Sequence, residues 1–120
     1  MVTASCPALV VFDDDEFRRN LIKTLDEQHF SVSFTPDGAE AIRLLDSRTF
    51  QIVIVGVSLA TRQGLKTLDY LKDKKGDRSV IIVGEASPEI RTYAPWADET
   101  LLKPVDAAWV VTRARSYCGR

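Results

Sequence analysis

Five short apolar runs divide this chain, and most are followed by a stretch of helical period. Ala8-Leu9-Val10-Val11-Phe12, Ile52-Val53-Ile54-Val55 and Val80-Ile81-Ile82-Val83 are unbroken by polar residues. Short runs of this kind read as strands buried on both faces, as in a parallel sheet covered by helices. Phe30-Ser31-Val32-Ser33-Phe34 alternates strictly, which predicts a strand with one buried face, near a sheet edge. Leu101-Leu102 supplies a short fifth strand. Between the runs, Phe17, Leu21, Ile22 and Leu25 share a helical face. Ala41, Ile42, Leu44 and Leu45 mark a second helix, and Leu65, Leu68 and Leu71 a third.

The helix ends are also written in the chain. Asp14 or Asp15 suits the first N-terminus, and Asp106 caps a last helix running to about Tyr117. Lys74-Lys75-Gly76 is a basic last turn with a glycine stop. Ser87-Pro88 opens a fourth helix, which Pro95 keeps short. Strands alternating with helices predict one domain over 1–120, a three-layer α/β/α sandwich around a five-stranded parallel sheet.

Sixteen basic and 17 acidic residues leave a net charge of −1. No basic excess marks a nucleic-acid or membrane surface, so neither partner is expected. Cys6 and Cys118 are too few for a disulfide framework and are expected to be free thiols. The first residues lack the regions of a signal peptide, and no apolar run approaches membrane-spanning length. A cytoplasmic location is therefore expected, for a whole small protein or one domain of a longer one. The lone His29 has no partner pattern and is expected at the surface. No cysteine–histidine metal spacing, phosphate loop or nucleophile elbow is present.

In parallel sheets of this kind, ligands bind beyond the carboxyl ends of the strands. Asp13, Asp14 and Asp15 follow the first run, Gly56 the third, Gly84 and Glu85 the fourth, and Lys103-Pro104 the fifth. Carboxylates beside a lysine at one crevice suggest a divalent cation or phosphate site. Helix capping explains the same aspartates equally well.

These residues, in this order, resemble the receiver domains of two-component response regulators, the CheY-like family. The likeness covers nearly the whole chain. Val11-Phe12-Asp13-Asp14-Asp15-Glu16-Phe17 is similar to the family's first strand and acidic pair. Pro36-Asp37-Gly38-Ala39-Glu40-Ala41 is similar to its turn into the second helix. Phe50 to Val55 is similar to its approach to the phosphoacceptor, and Lys103-Pro104-Val105 to the step after strand five. Gly64 stands where a loop glycine is expected. The resemblance implies a flavodoxin-like strand order 2-1-3-4-5, a cis Lys103-Pro104 bond and a role in phosphorelay signal transduction.

It also implies an atypical member with a dismantled site. Where relatives carry the phosphoacceptor aspartate this chain has Gly56, and where they carry a hydroxyl it has Gly84. Glu85 replaces a small residue, and Thr100 an aromatic switch. Asp13, Asp14 and Lys103 remain, with Lys103 placed to neutralise the acid pair. Asp13 and Asp14, lacking a third oxygen, are expected to hold Mg²⁺ weakly at most, and no other cofactor is implied. The chain is therefore expected to be no enzyme and to act by binding protein partners in signalling or transcription regulation.

The rival reading is an active phosphoacceptor using a substitute residue. Ser58, Ser87 and Asp15 lie near the crevice, but Ser58 would be displaced by about 7 Å along an extended chain. Another rival is a small ligand in a crevice that Gly56 and Gly84 would enlarge. Family members commonly signal through the face made by the fourth helix, fifth strand and fifth helix, and this chain is expected to offer the same face to a protein partner or to a second copy of itself as a homodimer. Tyr93, Trp96 and Trp109 fall in or beside that face, so they and Arg113 are the candidate interface. Tyr93 and Trp96 could equally fold inward. Trp109 is expected to face outward, with Arg113 one turn on stacking over it.

Overall fold

The computed structural model describes residues 6–56, 62–85, 88, 90 and 95–118. The elements run β1 (Cys6–Phe12), α1 (Asp15–Glu27), β2 (Phe30–Thr35), α2 (Gly38–Ser47), β3 (Ile52–Gly56), α3 (Arg62–Lys74), β4 (Ser79–Gly84), β5 (Glu99–Leu102) and α4 (Ala107–Arg115). All strand pairs are parallel, in the order β2-β1-β3-β4-β5. The predicted fourth helix falls largely outside the described residues, as do Ser58, Ser87 and Tyr93.

The apolar runs form strands because their alternate side chains serve two cores. Ala8, Val10, Phe12, Ile52, Ile54, Ile81 and Val83 face the layer containing α1 and α4. Leu9, Val11, Val53, Val55, Val80 and Ile82 face the layer of α2 and α3. Burial of both faces is what removes polar alternation from these runs. β2 is an edge strand, as its alternation predicts, and Phe30 is buried. Phe34 departs from that pattern and is 53% exposed: α1 residues Arg18, Arg19 and Ile22 line the groove beside it, but β2 ends the sheet and leaves the outer side of the ring uncovered.

The caps close the helices. Phe17 N–H donates to Asp14 Oδ1 (3.1 Å), Ala39 N–H to Asp37 Oδ1 (3.0 Å), and Trp109 N–H to Asp106 Oδ1 (2.8 Å). Gly76 takes φ +56° just after α3, the left-handed turn that favours glycine. His29 is exposed and carries φ +68° at the turn into β2.

The expectation of two free thiols is overturned. Cys6 and Cys118 form a disulfide with a Cα–Cα distance of 5.9 Å across 112 residues of sequence. Cys6 opens β1 and Cys118 follows α4, and both pack against the same core layer. Parallel topology brings the strand start and the helix end together, a proximity no local pattern reveals. The cytoplasmic expectation loses the support that free thiols lent it. No helix among the described residues is long and apolar enough to cross a membrane.

A link closing so long a loop is expected to matter. Cys118→Ser should lower unfolding free energy by about 2–5 kcal/mol in denaturant melts. Adding a thiol reductant should bring the native chain to the variant's midpoint and leave the variant unmoved.

Candidate functional site

The carboxyl ends of β1, β3, β4 and β5 meet at one end of the sheet. An open crevice there is lined by Asp14, Phe17, Glu85, Lys103, Pro104 and Val105. The Lys103-Pro104 bond is cis, as the resemblance implied, and Lys103 N–H donates to the Gly84 carbonyl (2.8 Å). Of the predicted remnant, Asp14 and Lys103 share the crevice, while Asp13 is exposed and does not line it. The expected neutralisation of the acid pair by Lys103 is not seen. Among the described residues, no ion pair joins Lys103 to Asp13, Asp14 or Glu85. The three aspartates have other duties: Asp14 caps α1, and Asp15 pairs with Arg18, whose guanidinium also donates to the Phe12 carbonyl (2.8 Å).

Beneath the crevice lies a contact that the sequence reading missed. Phe12 and Gly56 are register partners across β1 and β3. The Phe12 ring is fully buried and lies across the face of Gly56. A Cβ at position 56 would fall 2.1 Å from Phe12 Cε2, inside any permitted contact. Phe17 then stacks on Phe12, ring centres 5.1 Å apart. On the other face of the sheet, a Cβ at Gly84 would meet Ile90 Cδ1 at 2.8 Å. The glycines therefore do not enlarge the crevice, as a small-ligand reading needs; apolar side chains occupy the space above them. The signal was present in the sequence as a bulky aromatic and a glycine at the ends of neighbouring strands.

The second group of side chains gathers along β5 and α4. Arg113 Nε and Nη2 donate to the two Glu99 carboxylate oxygens at 3.0 and 2.8 Å, and Tyr117 Oη donates to Glu99 Oε1 (2.7 Å). Trp109 is 49% exposed, with the Arg113 guanidinium 5.9 Å from its ring centre, as expected. Leu102, nearby in sequence, is 48% exposed. Trp96, left open in the sequence between the interface and the interior, is half-buried and packs against the α2–α3 core. Thr100 is half-buried on β5, opposite Ile82.

The Arg113 fork holds the Glu99 carboxyl below its ordinary value, aided by Tyr117. Burial, then the hydrogen bond to Glu99, pushes the Tyr117 phenol up.

These contacts yield two expected outcomes. Gly56→Ala should overpack the Phe12 ring and cost about 1–3 kcal/mol, whereas Gly56→Ala in a Phe12→Val background should cost little. The resulting coupling in a double-mutant cycle should reach about 1 kcal/mol or more. Because the folded Glu99 value lies below the unfolded one, its stabilisation is complete above the ordinary carboxyl range. It is lost as pH falls through the folded value. Acid melts of Glu99→Gln should lack that part of the decline, and Arg113→Met should remove most of it.

The response regulator receiver domain model matches residues 8–115. Protein PetR of Rhodobacter capsulatus is 30% identical over 123 residues, spanning 100% of this chain and 52% of that protein. Transcriptional regulatory protein SrrA of Staphylococcus aureus is 24% identical over 93% of this chain and 47% of its own length. The chain thus spans about half the length of these curated relatives. A CheY-like receiver domain from Methanospirillum hungatei superposes with a TM-score of 0.81 at 20% identity, covering 94% of this chain and 93% of that one. An orphan response regulator of H. pylori gives 0.81 at 20%, covering 96% and 98%. The sheet order, the cis bond after β5 and this match over nearly the whole length agree: the chain belongs to the response regulator receiver domain family.

Proposed function

We propose that this receiver domain works without accepting a phosphoryl group, as a non-enzymatic protein-interaction module in a signalling or transcription-regulating system. The carrying observation is the Phe12 ring over Gly56. By the family's pattern, that position would hold the carboxylate nucleophile. Glycine supplies no nucleophile, and the ring leaves no volume in which a carboxylate could stand.

The residues present do not fit Mg²⁺, the ion the family implies. That ion needs near-octahedral oxygen ligands at about 2.1 Å. Gly56 offers no side-chain oxygen, and Asp14 Oδ1 is committed to the α1 cap. Among the described residues, no three acidic, histidine or cysteine side chains group closely enough for a metal. A substitute acceptor finds no support from Asp15, which is held by Arg18.

The interaction reading is supported by Trp109 and Leu102. Both are large and exposed, and Trp109 adjoins the buttressed Glu99–Arg113–Tyr117 cluster. An aromatic anchor held by a rigid support loses little entropy on docking. Partners recognised there would be proteins presenting an apolar surface to the indole, since Arg113 is already paired with Glu99.

Incubation with phosphoramidate and Mg²⁺, read by intact mass, tests the central claim. No mass gain is expected for the native chain. A stable gain of one phosphoryl group would overturn the reading.

A further inference from the structure

The outer edge of β2 has no protecting residue within the strand, and one charge reaches the strand from outside it, Arg48 Nη1 donating to Ser33 Oγ (3.0 Å). Exposed sheet edges are normally protected by charge, proline or a bulge. β2 runs Phe30-Ser31-Val32-Ser33-Phe34-Thr35, with neither charge nor proline, and pairs only with β1 among the described residues. Phe34, 53% exposed, joins Val32 and Ile22 in an apolar groove between β2 and α1, rimmed by Arg19, Lys23 and Asp26.

We propose that this edge joins two copies of the chain, β2 pairing antiparallel with β2 about a twofold axis at Val32. This surface is separate from the crevice and from the Trp109 face, so the proposal does not rest on the function proposed above.

The composition of the strand is self-complementary. Phe30 to Phe34 reads the same in both directions. Antiparallel pairing centred on Val32 sets Phe34 beside Phe30 of the second copy and Ser31 beside Ser33, each pair on one face. The unpaired backbone groups of one edge thereby meet those of the other.

Charge supplies direction. α1 leaves the carboxyl end of β1 and returns to the start of β2, so it runs against β2. After the acidic first turn of Asp15 and Glu16 it carries Arg18 and Arg19, then Lys23, and it ends in Asp26 and Glu27. The twofold axis runs the two α1 helices antiparallel, which brings Arg19 and Lys23 of one copy alongside Asp26 and Glu27 of the other.

The spacing also fits. Paired strands lie about 4.8 Å apart. Since α1 packs over both β1 and β2, the two α1 axes would come about 10 Å apart, an ordinary helix-packing distance.

Sedimentation equilibrium of the intact chain over a concentration series tests this. A dimer is expected. Phe34→Lys, Lys23→Glu and Asp26→Lys should each weaken it about tenfold or more. The combined Lys23→Glu/Asp26→Lys chain should dimerise again, because the exchanged charges still face each other. All three positions are exposed, and melts of each variant check that it folds. Three results would each overturn the proposal: a native chain monomeric up to its solubility limit, a dimer indifferent to all three single changes, or a charge-exchanged chain that stays monomeric.

Discussion

The end of the sheet that carries function in this fold is governed here by one contact, the Phe12 ring lying flat on Gly56. β1 and β3 are neighbours in register, so their last residues stand side by side. Only a residue without a Cβ lets the ring settle there. Once settled, it offers Phe17 a stacking surface, and Phe17 becomes the apolar wall of the crevice. Ile90 does the equivalent at Gly84 on the opposite face. What would be a polar pocket is closed from below by hydrocarbon on both sides of the sheet. The acids left at the rim then take up structural work, Asp14 as a helix cap and Asp15 as the partner of Arg18.

The other side of the molecule is tied more firmly. Glu99 on β5 receives Arg113 and Tyr117 from α4 and the turn after it. One residue beyond Tyr117, Cys118 is bonded to Cys6 at the start of β1. The last helix is thus held to the sheet through an ion pair, a phenol and a covalent link. That rigidity underlies the display of Trp109, whose ring shares the Arg113 guanidinium with Glu99. The edge formed by β2 has no comparable tether and no charge within the strand itself.

Much of this was readable in the chain. Val80 to Val83 and Ile52 to Val55 announced central strands, because a strand buried on both faces cannot alternate. Asp106 announced a helix start, and Gly76 a helix stop. Trp109 could be placed outward because Val110, Val111 and Ala114 claim the inward stripe. Phe34 was misjudged, since alternation tells which face a residue shares but not that an edge strand leaves the outer side of its ring uncovered. Trp96 stayed ambiguous in the sequence.

The pattern of residue types along the chain determined the elements, their layers and the lack of a side chain at positions 56 and 84, since each of these is a local property. Tertiary structure decided what stands in the vacated space, which cysteine meets which, and which carboxylate Arg113 claims. Those outcomes depend on distances between residues far apart in sequence. Such distances exist only after parallel strands have brought chain ends and strand tips together. Phe12 and Gly56 are 44 positions apart in sequence (56 − 12), and only the register between β1 and β3 makes them neighbours.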